Sequence, residues 1–301
     1  MRLSRPASRK TVTSASRGAL KAIGLGGASA AQAESVTAKT LPGMPPPAAA
    51  DRLRVATLNI WGRFADWPRR RAILAKQLPP LAIDVYLLQE VVCGDGRGDQ
   101  LAEVAELLGY EWSTRVIAEN RPQETEDEGV AILSRLPLHS TAVWPLPPSH
   151  PPRHRLEASV EWSGTTLRLM TLHAAVSKGD GRDEQIACLA ELKAEPLLLG
   201  SDLNAPPSLV RPLLDNSFAD TLSWDEQPTW PLNADEFVQA WQEKLGEKPQ
   251  GESKPRRLDY LLYRGIDALD SGTIAVREPE RSASDHRLVW ADLRPQSASN
   301  R

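Results

Sequence analysis

The sequence predicts an α/β protein in which packed sheets are covered by helices, and three observations carry that expectation. The 301-residue chain is 41% apolar and 25% charged, the balance of a globular protein long enough to bury a sizeable core. From Asp51 onward, short apolar runs alternate with helix-like patterns, as layered sheet packing under helices requires. Run after run also ends in a short polar cluster of carboxylates, amides or imidazole, and loops at strand ends converge readily on one cleft.

Residues 1–50 read as a leader or flexible, Pro-rich tail. The first 33 hold no Asp or Glu, and the weakly apolar stretch from Ala19 to Ala33 is broken by Lys21 and Gln32 and diluted by Gly24, Gly26 and Gly27. Small residues near Ala28 to Ala33 suit signal-peptidase cleavage, while the diluted core suits a retained tail, so a cytoplasmic and an exported protein both stay open. No window approaches the roughly 18 continuous apolar residues of a membrane-spanning helix. Pro42 and Pro45 to Pro47 stiffen the link to a domain expected over 51–295, followed by a polar tail at 296–301.

Within that domain, Leu53 to Ile60 reads as a first strand, Trp67 to Leu78 as a helix and Ile83 to Gln89 as a second strand. Further strands are expected at 110–116, 128–134, 138–144, 154–162 and 166–173, the last two joined by a hairpin turn at Trp162-Ser163-Gly164-Thr165. A helix from Arg182 to Leu192, a strand at Pro196 to Gly200 and a helix beginning near Pro207 follow. Residues 235–257 read as an exposed helix plus loop, and Leu258 to Tyr263, Gly272 to Arg277 and Leu288 to Leu293 as closing strands.

Charge is unevenly spread. The net value is -3, but residues 1–50 hold seven of the 36 Lys/Arg and one of the 39 Asp/Glu, which leaves 29 basic against 38 acidic residues, or -9, in the rest. A broad basic surface of the kind that binds nucleic acid non-specifically is therefore excluded, although a local patch with a metal ion is not. Two cysteines, Cys93 and Cys188, are too few for a disulfide framework or a thiolate metal site.

The polar clusters are Thr57-Leu58-Asn59, Gln89-Glu90, Thr171-Leu172-His173, Asp202-Leu203-Asn204, Arg257-Leu258-Asp259-Tyr260 and Ser284-Asp285-His286. Their oxygen and nitrogen donors, without clustered sulfur, favour a hard divalent ion such as Mg2+ or Mn2+. A phosphodiester is anionic, so its transition state is best met by a cation and prearranged hydrogen-bond donors. Water needs a base, and Asp202 or His286 fits that role. Plainer readings stand beside these. Asn59 suits a strand-end turn, Asp202 and Asn204 suit helix caps, His173 suits a packing position, and Asp259 suits an edge charge beside Arg257.

In order and register, these six clusters resemble the endonuclease/exonuclease/phosphatase superfamily, the deoxyribonuclease I-like group. The likeness runs from about Leu53 to Leu293 and includes the strand Gly129 to Arg135. It implies a four-layer α/β/β/α sandwich with two packed mixed β-sheets. It further implies that Asn59, Glu90 and Asp285 hold the metal, and that Asp202 orients and activates water or binds metal while Asn204 donates to the scissile phosphate. His286 takes a water proton or binds phosphate, Asp259 orients a catalytic histidine, His173 is the strand-end histidine, and Arg182 and Gln185 match the following helix. Ser201 stands where the family usually has Gly before its acid.

The function so implied is a divalent-metal-dependent phosphoester hydrolase, in the first place a phosphodiesterase or endonuclease on nucleic acid. A phospholipid or small-molecule phosphodiesterase, of sphingomyelinase or phosphoinositide-phosphatase type, is the alternative enzyme. A catalytically inactive binding module is the alternative of a different class. Nothing in the sequence signals an oligomer, so a monomer is the default expectation.

Overall fold

Alternation along the first apolar run decides the architecture. In Leu53–Asn59, Val55 belongs to one core cluster while Ala56 and Leu58 belong to another on the opposite face, and all three are fully buried. A strand buried on both faces needs a layer on each side.

The computed structural model describes residues 51–93, 98–117, 127–149, 152–193, 196–214, 217–246 and 254–296. The leader at 1–50 and the polar tail beyond residue 296 lie outside the described residues. In chain order the elements are β1 (Leu53–Asn59), α1 (Trp67–Gln77), β2 (Val85–Cys93), α2 (Gln100–Leu108), β3 (Trp112–Ile117), β4 (Asp127–Ser134), β5 (His139–Pro145), β6 (His154–Trp162) and β7 (Thr165–His173). They continue with α3 (Arg182–Ala187), β8 (Leu197–Asp202), α4 (Pro207–Leu213), β9 (Ala219–Asp220), α5 (Ala234–Leu245), β10 (Asp259–Arg264), β11 (Ile266–Ile274), β12 (Arg277–Glu278), β13 (Arg281–Ser282) and β14 (Leu288–Pro295).

Two six-stranded sheets, ordered β11-β14-β1-β2-β4-β3 and β5-β6-β7-β8-β10-β9, pack face to face. The side chains between them include Val55, Val85, Leu87, Val130 and Ile132 from the first sheet and Leu156, Leu167, Leu169, Leu198 and Leu261 from the second. Each such side chain contributes about 1.5–3 kcal/mol on burial. The outer face of the first sheet is covered by α1 and α2, through Trp67, Ile73, Leu74, Leu101, Val104 and Leu108. Ile186 of α3 and Val210 of α4 cover the second sheet. The result is the expected four-layer α/β/β/α sandwich.

Each sheet contains one parallel pair, β1 with β2 and β7 with β8, and is otherwise antiparallel. This topology brings the C-terminal ends of β1, β2, β7 and β8 to the same end as the starts of β4, β6, β10 and β14. Near that end the sheets approach closely at Gly200, where a Cβ would lie 2.5 Å from Leu87 Cδ1 and 3.0 Å from Thr57 Cβ. Only a residue without a side chain fits there.

Several elements depart from the sequence expectation. The helix expected to Leu192 ends at Ala187 and tightens into a 3-10 turn over Cys188–Glu191. Helix α2, absent from the sequence expectation, is capped by Asp99, whose side chain accepts from the Leu101 and Ala102 amides, and is closed by Gly109 at φ +71. β11 begins at Ile266, well before the expected Gly272, with a register shift between Ala268 and Asp270 where acidic residues interrupt the apolar pattern. Helix α5 is not simply exposed, because Phe237 and Ala240 bury against Trp61.

Candidate active site

Glu90 owes its position to an irregularity in β2. The pairing of β2 with β4 shifts register between Leu88 and Val91, and Glu90 takes φ +54, a left-handed conformation uncommon for a residue with a side chain. Gln89 stays between the sheets, donating to Thr171 Oγ1 at 3.0 Å. The Glu90 carboxylate is met by Asn59, whose Nδ2 donates to Glu90 Oε1 at 2.9 Å and also to Asp202 Oδ2 at 3.1 Å. Both carboxylates lie on one amide nitrogen, so these oxygens are at most 6.0 Å apart, although Glu90 and Asp202 come from different sheets. Asn59 Oδ1 in turn accepts from the Trp61 amide at 2.9 Å, which fixes the orientation of the amide group.

Asp202 closes β8 and is buried; its Oδ1 accepts the Asn204 backbone N–H at 2.9 Å. The capping alternative for these two residues does not hold, since Pro206 precedes α4 with no side-chain cap. Asn204 Nδ2 instead lies 3.0 Å from His173 Nε2 and 3.0 Å from the Ala174 carbonyl oxygen, and the Asn204 carbonyl accepts from Arg182 at 3.1 Å. Gln185 holds the same segment by accepting the Ala175 N–H at 2.8 Å. Ser201, the departure from the usual glycine, donates its hydroxyl to the Leu172 carbonyl at 2.7 Å and so ties β8 to β7.

His286 is braced by Asp259, with Nδ1 2.9 Å from Asp259 Oδ2. That separation leaves Nε2 facing Asp202 Oδ2 at 3.7 Å and Asp285 Oδ1 at 3.9 Å. Asp259 itself pairs across β8 and β10 with Asp202, and its amide is anchored on Thr229 Oγ1. The edge-charge reading of Asp259 fails for a specific reason. Arg257 is committed elsewhere, in a fully buried ion pair with Asp220 at 2.7 Å. Ser284 donates to the Asn59 carbonyl at 2.6 Å and accepts the His286 N–H at 3.0 Å, so the last cluster is tied directly to the first. Trp230 Nε1 donates to Asp285 Oδ2 at 2.9 Å.

All eight residues singled out from the sequence (Asn59, Glu90, His173, Asp202, Asn204, Asp259, Asp285 and His286) thus stand at one end of the sandwich, linked by these short contacts. Two further residues join them. Glu128, at the start of β4, lies 3.8 Å from His173 Nδ1, and Arg153, just before β6, lies 3.2 Å from the same nitrogen. Both sit at strand starts rather than strand ends, and only the antiparallel pairing of β4 with β2 and of β6 with β7 carries them to the site.

The site is acidic and its titration is displaced. Burial, with Glu128 and Asp285 adding repulsion, pushes Glu90 up to about 8. Burial likewise raises Asp202 to about 6 against the opposing pull of His286, and it raises Asp285. Burial alone would lower His286, but Asp259, Asp285 and Asp202 together hold it well above the usual imidazole value. Among the described residues, two groups offer ligand atoms within 4.8 Å of one another, Glu90/Glu128/His173 and Asp202/Asp259/His286. Among the described residues, nothing donates a hydrogen bond to the buried oxygens Asp259 Oδ1 and Asp285 Oδ1. Clustered, unsatisfied carboxylate oxygens with imidazole and no thiolate fit a hard divalent cation.

Comparison with known proteins places this geometry. Residues 56–286 match the model of the "Endonuclease/Exonuclease/phosphatase family". Among solved structures, an endonuclease/exonuclease/phosphatase from Beutenbergia cavernae is 25% identical, covering 82% of this chain and 72% of its own, with TM-score 0.62. TDP2 of D. rerio complexed with a single-strand DNA product is 18% identical over 80% of this chain and 98% of its own, with TM-score 0.62. A mannosyl-6-phosphatase of Bacteroides thetaiotaomicron is 16% identical over 80% and 99%, with TM-score 0.56. No curated protein matched.

Proposed function

The chain belongs to the endonuclease/exonuclease/phosphatase family of phosphoester hydrolases, and on that premise we propose that residues 51–295 form a Mg2+- or Mn2+-dependent phosphodiesterase that cuts nucleic-acid P–O bonds with activated water. The observation that carries the reading is the convergence of Glu90 and Asp202 on Asn59 beside a histidine braced by Asp259. The TDP2 complex with a single-strand DNA product supports nucleic acid as the substrate class.

Glu90 and Asp285 would hold the cation, with Asn59 alongside, and the bound ion would supply Lewis-acid stabilisation of the phosphoryl oxygens. Asp202, fixed by Asn59 and by the Asn204 amide and raised to about 6, takes the proton from the attacking water. His286 is held cationic by its acidic neighbours and presents Nε2–H to a phosphoryl oxygen, while Asp259 fixes the ring through Nδ1. Asn204 Nδ2 spends its two hydrogens on His173 Nε2 and the Ala174 carbonyl, each at 3.0 Å, and so fixes the His173 ring beside Asp202; donation from Asn204 to the scissile phosphate would require it to exchange one of these partners. As water bonds to phosphorus, its proton passes to Asp202 and the P–O bond to the leaving oxygen breaks, with the electron pair departing on that oxygen.

The test is product analysis by mass after incubation with Mg2+ and, separately, DNA, abasic DNA, RNA, phosphoinositide and sphingomyelin. Cleavage of a nucleic acid that stops with chelator, and that Asp202→Asn lowers in kcat by about 10²–10⁴-fold, is expected. Cleavage of lipid alone would establish the second enzyme reading. Binding without turnover on every substrate would establish the inactive module.

A further inference from the structure

Most guanidinium groups around the site are already committed. Arg153 contacts His173 and Glu128, Arg182 binds Asp183 and the Asn204 carbonyl, Arg257 is buried on Asp220, and Arg281 pairs with Glu236. Among the described residues, Arg70 donates only to carbonyl oxygens of the loop after β1 and of Ala283. Arg256 differs. It is exposed, and among the described residues its side chain makes no ion pair or hydrogen bond, yet it is not loosely held. Its backbone forms a bridge with Trp230, with the Trp230 N–H donating to the Arg256 carbonyl at 2.9 Å and the Arg256 N–H to the Trp230 carbonyl at 2.6 Å. Its Cζ lies 5.1 Å from the Trp230 ring centroid, a cation–π distance.

Trp230 is the indole that donates to Asp285, and its ring centroid is 6.3 Å from that of His286. Since 5.1 Å and 6.3 Å add to 11.4 Å, Arg256 Cζ is no farther than that from the His286 ring centroid. A polyanion approaching Glu90, Asp202, Asp259 and Asp285 meets repulsion, and a restrained guanidinium at the rim offsets it at little further ordering cost. Neighbouring phosphates of an extended single strand lie farther apart than the duplex rise of about 3.4 Å per nucleotide, so a phosphate one or two nucleotides from the scissile one reaches this guanidinium.

We propose that Arg256, stacked on Trp230, is a subsite for a second backbone phosphate of a single-stranded nucleic acid. The inference rests on the phosphodiesterase reading and extends it from a lone diester to a strand.

The test compares a single-stranded pentanucleotide with bis(p-nitrophenyl) phosphate under Mg2+. Arg256→Gln is expected to raise KM for the pentanucleotide about tenfold, several-fold more than for the small diester, with the larger effect in KM rather than kcat. The slope of log(kcat/KM) for the strand against log salt becomes shallower by about 0.7, whereas Arg256→Lys keeps the slope. Arg294→Gln, at the far end of β14, removes a surface charge as the control and matches the wild type. Equal KM changes for the two substrates, or an unchanged salt slope, overturn the subsite while leaving the phosphodiesterase reading intact. If the wild type cleaves neither compound, that reading fails, and anisotropy of a labelled strand decides the subsite by itself: equal affinity of wild type and Arg256→Gln overturns it.

Discussion

Glu90 carries its charge against its surroundings. With burial and two acidic neighbours holding the carboxyl at about 8, most of it is protonated at neutral pH in the metal-free protein. A divalent cation favours the ionised form, so binding below pH 8 must displace a proton. Apparent Mg2+ affinity should therefore rise with pH, by up to about tenfold per unit between pH 6 and 8, and level off above. Titration calorimetry in two buffers of different ionisation heat should show close to one proton released by the wild type and fewer by Glu90→Gln, and a heat independent of buffer would contradict this. The same carboxylate shows how far residue roles can be read from sequence. Glu90 and Asp202 stand out because each ends an apolar run, and Asp259 and His286 because each belongs to a compact polar cluster just before one. Glu128 and Arg153 also precede strands, but Glu128 lies within an acidic run and Arg153 beside prolines, and nothing in a linear pattern reveals that an antiparallel partner carries those strand starts to the site.

Among the elements, the meeting of β8 with β1 and β2 leaves no room for a side chain at Gly200. Gly200→Ala would push a methyl group against Leu87 Cδ1 and also against the Cβ atoms of Leu87 and Thr57, which no rotamer change can move, and should destabilise the fold by about 1–3 kcal/mol in urea denaturation. Unaltered stability would mean that the sheets separate easily there. The strands were largely legible in the sequence because their apolar runs are short and end in polar residues. Helix α5 was legible as a helix but not as a packed one. Phe237, Ala240 and Trp241 follow the i, i+3, i+4 spacing of a buried face, but their partners Trp61 and Phe64 are some 170 residues earlier and come within reach only through the fold. The apolar pattern of β11 is shorter than the strand because Asp267 and Asp270 interrupt it, although a bulged edge strand tolerates both.

At the scale of the molecule, the buried acids and the histidine act in the same direction. Asp202 at about 6 and Glu90 at about 8 bind protons more tightly in the folded chain than in the unfolded one, where carboxyls titrate near 4, so the stability they cost grows as pH rises through that interval. His286, raised well above 6.5, adds stability that is fully present below that pH and is lost as pH climbs through its folded value. The metal-free protein should accordingly melt at progressively lower temperature from pH 5 to pH 9. Saturating Mg2+ should raise Tm more at pH 8 than at pH 6, and a Tm that rises with pH in chelator would refute the account. The four-layer architecture and the cluster of acids were both legible in the order of the polar clusters, whereas the distances that set these shifts were not. One consequence lies in the amide of Asn59, which grips a carboxylate from either half of the sandwich: competence hangs on how the two plates are riveted together. Gentle heat or pressure that lets the plates slip should silence the protein while its helices and strands are still intact.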